Sequence, residues 1–243
     1  MNKNNILIGL FVLFSFVNIN AQKYELGKVS IQELKEEVNP NDTAATATIL
    51  FKKGRTFFSY NRINGFTVNH VYEYKIKIYK KEGLNWANQN VRYYVGYENL
   101  NDDKLEFSNA VTYNLVNGKI VKTNLENEGN FKNNVNKYWK EKTITLPDVK
   151  VGSIIEYKYV LKSENLIQFP DFDFQYSIPV NYFEYQTEIP EVYVYKPLLI
   201  GNFPIEFDSK LVNGTQSFDN EYNKASILSY RQINSLYKYK NVS

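Results

Sequence analysis

The single histidine of the 243-residue sequence, His70, limits the catalytic machinery that the chain can carry. A serine or threonine triad would need His70 as its base, and a cysteine nucleophile is excluded because the sequence has no cysteine. His70 shares the alternation of Tyr72, Tyr74 and Ile76, which places it on the packed side of a predicted strand. This position favours a structural histidine in a core or at an edge over a catalytic base.

Paired carboxylates are the second chemical option, because glycoside hydrolysis needs only two acids at a set distance. Asp171 and Asp173 lie beside Phe169, Phe172 and Phe174 and come nearest to an acidic aromatic cluster in the sequence. Their spacing is also typical of the polar face of a strand. The sequence leaves this enzymatic alternative open.

Other signatures of catalysis or cofactor binding are missing from the sequence. It has no glycine-rich phosphate loop, and Gly152-Ser153 is predicted to be a turn before a strand rather than a nucleophile elbow. One histidine with scattered carboxylates shows no metal-ligand spacing. We therefore predict no catalytic, cofactor-binding or metal-ligating residue and no cofactor, and we do not expect the chain to be an enzyme.

Aromatic side chains are unusually frequent, with 21 tyrosines and 16 phenylalanines. Exposed rings can stack on sugars or hold peptides, and the candidates for such a surface are Tyr93-Tyr94, Tyr97, the preceding Trp86, and Tyr237 with Tyr239. Tyrosine also favours strands, where it buries its ring and leaves its hydroxyl in water. Much of the count could therefore reflect structure alone.

The N-terminus has the form of a signal peptide. A positive start at Lys3 precedes an apolar run from Ile6 to Val17, which is too short to span a bilayer. We predict that residues 1–21 are removed by cleavage between Ala21 and Gln22. The protein is then expected to be exported to the periplasm or secreted, without a membrane anchor, since no cysteine is present to carry a lipid.

Composition favours a packed globular domain. Hydrophobic residues make up 43% of the sequence, and the formal net charge of +3 is too small to indicate a nucleic-acid partner. Without cysteines, the fold must be stabilised by packing alone.

The order of predicted elements is one short helix followed by many strands. Ser30 to Glu33 has the form of a capping box, which predicts a helix over Ile31 to Glu37. Two-residue alternation then predicts half-buried strands, each with one face in water, at four places. These are His70 to Ile78, Val111 to Leu115, Ile155 to Leu161 and Phe172 to Ile178. In the third, Ile155, Tyr157, Tyr159 and Leu161 should face the core, and Glu156, Lys158 and Lys162 should face water.

Turn signals divide the chain into short segments. Asn64-Gly65, Asn117-Gly118 and Asn213-Gly214 are typical of tight hairpins, and further breaks are expected at Pro147-Asp148, Phe169-Pro170-Asp171, Ile189-Pro190 and Phe203-Pro204. The prediction is an all-β fold, an antiparallel β-sandwich with one short N-terminal helix, over residues 22–243.

Four segments carry a resemblance to a known family: Lys77 to Ala87, Ala110 to Lys119, Lys137 to Lys140 and Leu146 to Tyr157. Phe174-Gln175, Ile178 to Val180 and Glu188 to Pro190 continue the pattern. In order and spacing, they resemble the uncharacterised domain that precedes transglutaminase-like domains in exported Bacteroidetes proteins. The resemblance extends from about Leu26 to Val242, although none of its motifs is diagnostic alone.

The resemblance implies a β-sandwich without catalytic residues of its own, normally followed by a papain-like domain with a cysteine, a histidine and an aspartate. The chain is therefore expected to be a fragment that lacks a downstream transglutaminase-like domain. Its C-terminal strand, with Leu236, Tyr237, Tyr239 and Val242, is expected to be an exposed edge that promotes self-association.

Two functions remain after this reasoning. The first, which the resemblance implies, is a non-catalytic scaffold domain that packs against a C-terminal catalytic partner. The alternative is a free-standing module of the cell envelope that binds a glycan or peptide, which the aromatic excess favours.

Overall fold

The structure, a computed structural model, describes residues 24–126, 130–201, 204–219 and 224–240. The predicted signal peptide, its cleavage site, Phe203 and Val242 lie outside the described residues. Within them, no helix is long and apolar enough to cross a membrane.

The described chain is mostly β-strand, with one short α-helix and one 3-10 helix. In chain order the elements are α1 (Ile31–Lys35), β1 (Ala47–Asn61), β2 (Gly65–Ile78), the 3-10 helix Lys81–Ala87, β3 (Asn88–Tyr94), β4 (Lys104–Val116), β5 (Lys119–Asn124), β6 (Asn130–Asn134), β7 (Trp139–Thr145), β8 (Ile154–Ser163), β9 (Tyr182–Pro190), β10 (Glu206–Asp219) and β11 (Ala225–Lys240). The predicted β-rich class and the N-terminal helix are confirmed. Ser30 and Glu33 form the predicted capping box, although the helix ends at Lys35.

Two sheets are formed by the described strands. An eight-stranded sheet has the order β10-β11-β9-β1-β2-β8-β4-β5, and a three-stranded sheet has the order β3-β7-β6. The prediction of a purely antiparallel arrangement is wrong, because β1 and β9 run parallel from Lys52↔Phe183 to Phe57↔Glu188. The larger sheet is therefore mixed.

The three-stranded sheet packs on one face of the larger sheet. Ile144 and Leu146, at the end of β7, share a buried cluster with Tyr74, Ile155 and Tyr157 of β2 and β8. A hydrogen bond of 2.7 Å from the Tyr157 hydroxyl to Oε1 of Gln89 in β3 also joins the two layers. The period of two in β2 and β8 supplies this face, as predicted.

The opposite face of β2 and β8 is covered by the N-terminal segment, so the prediction that it faces water is wrong there. Lys75, Lys77 and Glu156 are almost fully buried. The Lys75 ammonium donates to Oε1 of Glu33 at 2.7 Å, and Glu156 accepts from the Gly27 backbone amide at 2.7 Å. These partners allow charged side chains to lie under α1 at lower cost than if they were unpaired.

The rest of the predicted β8 orientation is correct. Ile155, Tyr157 and Leu161 are buried, Lys158 is half-buried beside Glu73 and Lys162 is exposed. Only Glu156 differs among the polar positions.

Two of the three predicted Asn-Gly turns are present. Asn117 and Gly118 have φ of 51° and 75° between β4 and β5, and Gly65 has φ of 67° at the β1–β2 connection. The third is wrong, because Asn213-Gly214 lies inside β10 opposite Arg231 and Tyr230. Gly214 permits close packing there, since a Cβ would lie 2.7 Å from Oε1 of Gln232.

The segment from Phe172 to Ile178 is not a strand, which contradicts its alternating pattern. It crosses the sheet face without joining a strand, with Phe172 and Tyr176 packed against the main core cluster. Backbone pairing resumes at the bridge between Ile49 and Val180. The alternation of Phe172 to Ile178 therefore reflects side-chain packing on the sheet and not strand pairing within it.

The predicted C-terminal edge is also wrong. β11 lies between β10 and β9, with Ala225 to Lys238 paired to β10 and Gln232 to Lys240 paired to β9. Its backbone groups are used on both sides from Gln232 to Lys238, so the free edge expected at Tyr237 is absent and the reason given for self-association there does not hold.

Candidate ligand-binding site

A cavity of about 480 Å³ lies where the end of the three-stranded sheet meets the larger sheet. We call it the cleft. Its lining residues come from β2, β3, β7, β8 and the loops that follow β3 and β8: His70, Tyr72, Val91, Arg92, Tyr93, Tyr94, Tyr97, Asp103, Trp139, Tyr159, Leu161, Ser163, Asn165, Gln168, Phe169, Pro170 and Asp171. Such a mixture of aromatic walls and a few polar groups is typical of ligand sites.

The outer wall of the cleft is an aromatic group at the paired ends of β3 and β7. Tyr94 stands opposite Trp139 in the strand register, and their rings meet edge to face at 5.1 Å. The Tyr97 ring lies 4.7 Å from that of Tyr94. Between them, Gly96 allows the chain to turn close to Tyr138, whose ring a Cβ at Gly96 would meet.

The floor of the cleft belongs to the larger sheet. The rings of Tyr72 and Tyr159 lie 4.8 Å apart on neighbouring strands, and Leu161 packs with Tyr93 in a separate buried cluster. Phe169, in the loop after β8, packs against the rings of His70 and Tyr195 at 5.2 and 4.3 Å. These contacts hold the loop against the sheet and complete the cavity.

His70 lies in this wall, and its hydrogen bonding disfavours catalysis. The Thr56 hydroxyl lies 2.8 Å from Nδ1 of His70 and 2.8 Å from the Tyr185 hydroxyl, and Thr56 is fully buried. Burial lowers the pKa of His70 to about 4. A threonine–histidine pair is present, but substrate has no access to this hydroxyl and the imidazole is a weak base near neutral pH.

Asp103 is the least expected residue of the cleft. The residue is only 8% exposed, and its Oδ1 has no hydrogen-bond partner among the described residues. Burial raises the pKa of this carboxyl, whereas hydrogen bonds from Ser163, the Tyr94 backbone and Tyr97 lower it less. An unpartnered oxygen in an aromatic wall is costly for the fold, so a ligand that could pair with it would gain affinity.

The remaining charges of the cleft lie at its rim. Arg92 is 64% exposed in its side chain and donates through Nε to Glu141 at 3.1 Å. Asp171 is exposed. Among the residues that the structure describes, no three histidine, aspartate or glutamate side chains cluster closely enough to hold a metal ion.

The sequence located part of this site. Tyr93, Tyr94, Tyr97, His70 and Asp171 all line the cleft. The other candidates lie elsewhere. Trp86 packs on the main core cluster, Tyr237 packs against Phe207 at 4.9 Å, the Tyr239 ring lies 5.6 Å from Phe183, and the Asp173 carbonyl accepts a hydrogen bond from Lys52.

Trp139 and Asp103 are the site residues that sequence reasoning missed. Trp139 stood in a resembling segment, but only its pairing with Tyr94 brings it to the cleft. Asp103 follows Asn101 and Asp102 in a polar stretch that is typical of a solvated turn. Nothing in that pattern indicates burial.

A family model matches residues 66–206, that is, from β2 to the start of β10. It is described as a domain of unknown function with solved structure, DUF3857. The chain belongs to the DUF3857 family. Every residue that lines the cleft falls within the DUF3857 region, so the cleft is a feature of the family domain in this chain.

Among solved structures, this DUF3857 chain is similar to a crystal structure from Parabacteroides distasonis whose name describes it as a candidate protease. The identity is 13% and the TM-score is 0.47, with 82% of this chain and 36% of that one covered. The chain thus spans about a third of the length of that structure. No curated protein matches the DUF3857 chain in sequence.

Proposed function

We propose that the chain is a non-catalytic domain of an exported protein that binds an extended peptide or glycan in the cleft. The observation that carries this proposal is the aromatic group of Tyr94, Tyr97 and Trp139, which lines one cavity together with Tyr72 and Tyr159 of the other sheet. The preference of tyrosine for strands explains why each ring is present in its sheet, but it does not explain why rings from both sheets line one cavity.

The exposure of the rings supports binding rather than packing alone. Trp139 is 41% exposed, although it lies in direct contact with Tyr94. An indole ring that is half covered by neighbours offers a flat face to a sugar or a peptide plane at little conformational cost. The polar side chains of Ser163, Asn165 and Gln168 in the same wall can orient such a ligand.

The state of His70 supports a role without chemistry. The Thr56 hydroxyl, which hydrogen-bonds the imidazole, is buried between His70 and the Tyr185 hydroxyl. Of the two carboxylates considered from the sequence, only Asp171 lines the cleft. We therefore expect the cleft to bind its ligand without catalysing a reaction on it.

Binding can be tested on peptide and glycan arrays, followed by titration calorimetry of the hits. We expect hits in one of the two classes, and Trp139→Ala should weaken them about tenfold or more, since truncating an aromatic residue that anchors a ligand costs roughly 2 kcal/mol or more. The matched control is Phe131→Ala, which removes an exposed ring of β6 outside the cleft. Absence of binding above background in both classes, or hits indifferent to Trp139→Ala, would overturn the proposal.

We further propose that the domain works beside a transglutaminase-like catalytic domain of the same protein, to which it would deliver the bound ligand. The motif order described above supports this partner. The nucleotide sequence downstream of codon 243 is the direct test, and we expect an open frame that encodes a cysteine-containing domain. A stop codon at that point would leave the free-standing binding module as the better proposal.

A further inference from the structure

Asp103 leaves the cleft with an uncompensated negative charge. Its Oδ1 atom is buried without a partner among the described residues, and the residue as a whole is more than nine-tenths buried. The groups that approach the carboxylate are hydroxyls and a backbone amide, from Ser163, Tyr97 and Tyr94. None of them carries a positive charge.

The positively chargeable groups of the cleft do not supply that charge. Arg92 is engaged with Glu141 at the exposed rim. His70 is neutral near pH 7, because burial lowers its pKa to about 4. A ligand that brings a full positive charge would therefore gain more at Asp103 than a neutral hydroxyl would, because charges interact strongly where water is excluded.

The surroundings of Asp103 also suit a cation. The rings of Tyr93, Tyr94 and Tyr97 line the same cavity, and aromatic faces attract ammonium groups. Because so little of Asp103 is exposed, the group that reaches it must be narrow. A primary ammonium on an alkyl stem meets this condition, whereas an amine fixed to a sugar ring is broader.

We propose that the cleft binds a protonated primary amine on a flexible stem, a lysine-type side chain of a peptide, with its ammonium group against Asp103 and its stem between the tyrosine rings. This inference rests on the proposed function and specifies its ligand class. An extended peptide lying across Trp139 would place its backbone over the indole and one side chain into the cavity.

The probe is a capped five-residue peptide with one central lysine among glycines, compared with the same peptide acetylated at the lysine Nζ. We expect the full chain to bind the charged peptide with an affinity about tenfold or more above that for the acetylated peptide at pH 7.5. Binding is measured by the change in tryptophan fluorescence and by NMR chemical-shift changes. Asp103→Asn should remove this preference, and Asp102→Asn, which changes the exposed neighbouring acid, should keep it. Equal affinity for the two peptides in the wild type would overturn the proposal without any need for a folded Asp103 variant.

Glucosamine and N-acetylglucosamine form the second arm. Preference for glucosamine with no response to the lysine peptide would contradict the peptide assignment. The two proposals fail in different ways. If neutral ligands bind, lose affinity in Trp139→Ala and bind as tightly as charged ones, the cleft is a binding site and only the ammonium inference is wrong. If no probe or array ligand binds, the proposed function itself is wrong.

Discussion

Replacing Tyr157 with alanine should lower the free energy of unfolding by about 3–5 kcal/mol, the range for large aromatic deletions in cores. Tyr157 is only 3% exposed, and its ring stacks on Tyr74 at 4.7 Å, with 13° between the ring planes. Its hydroxyl donates to Gln89 of the other sheet. The substitution would therefore leave a cavity between the layers and an amide oxygen without its partner. Urea denaturation at pH 7 gives the measurement.

Two control variants separate the contributions to this effect. Tyr157→Phe keeps the ring and removes the hydroxyl, so it should cost about 1 kcal/mol. Lys158→Ala removes the next side chain of β8, whose ion pair with Glu73 is partly exposed, and should stay within about 0.5 kcal/mol. If Lys158→Ala and Tyr157→Ala destabilised the protein equally, the strand register would be wrong, because a one-residue slip exchanges the two faces.

The alternation of residue types predicted the strands of the core but not what covers their second face. Ile155, Tyr157 and Leu161 face the small sheet as expected. Lys75, Lys77 and Glu156 looked like a solvated face because nearby sequence shows only that they are charged. Lys75 is paired with Glu33, 42 positions away in sequence, and Glu156 accepts from Gly27, 129 positions away. Local periodicity carries no information about such distant partners.

Phe172 and Tyr176 show a different limit of the same reasoning. Their alternation matches that of a strand, but the segment makes no ladder and places the Phe172 ring against Tyr72 of β2 and Tyr185 of β9. Gly54 of β1 makes room for it, since a Cβ there would lie 2.5 Å from the Phe172 ring. A period of two shows which side chains can pack on an apolar surface. Whether the segment also joins a sheet depends on whether a neighbouring strand is free to form backbone hydrogen bonds with it.

The cleft was only partly predictable for a related reason. Tyr93, Tyr94 and Tyr97 were recognisable as a local aromatic cluster, whereas Trp139 lies opposite Tyr94 only because β3 pairs with β7. The burial of Asp103 follows from the fold, which packs Leu105 and Leu161 with Tyr93 in the same wall. Aromatic composition therefore indicated a binding surface, and the polar group that would give it specificity had to come from the fold.

The second large effect is expected from Lys52 of β1, which is only 2% exposed. Its ammonium donates to the Asp173 carbonyl at 2.5 Å and to the Tyr176 hydroxyl at 2.7 Å, and it lies 4.0 Å from the centre of the Phe172 ring. Burial lowers the pKa of Lys52 to about 7, although the Asp173 charge opposes the change. These contacts stabilise the charged ammonium less than its lost hydration would, so the pKa of Lys52 is lowered.

The direction of the pH dependence follows from the unfolded chain, where a lysine has a pKa near 10.5. Between about pH 7 and 10.5 the unfolded chain holds a proton that folded Lys52 has released, so stability rises with pH by up to about 1.4 kcal/mol per unit. Below about pH 7 both states are protonated and the effect is flat. Lys77, with a pKa lowered to about 8 by burial, acts in the same direction from pH 8 upward.

Other groups bound the useful pH window. His70, with its pKa lowered to about 4, makes stability rise between about pH 4 and 6.5 and is silent above that range. Burial raises the pKa of Tyr72, Tyr74 and Tyr157 well above 10, so these groups stabilise the fold at neutral pH and lose that contribution above pH 10. The window for Lys52 is therefore pH 7 to 9.5.

Over that window the wild type should gain about 3 kcal/mol from Lys52 in urea denaturation. Lys52→Met keeps the length of the side chain and cannot ionise, so only the smaller rise from Lys77 should remain. Lys162→Met, at an exposed position of β8, controls for the loss of a positive charge and should keep the wild-type rise. A Lys52→Met profile parallel to that of the wild type would mean that Lys52 stays protonated in the fold. The hydrogen bonds to the Asp173 carbonyl and the Tyr176 hydroxyl, together with the Phe172 ring, would then stabilise the ammonium as well as water does.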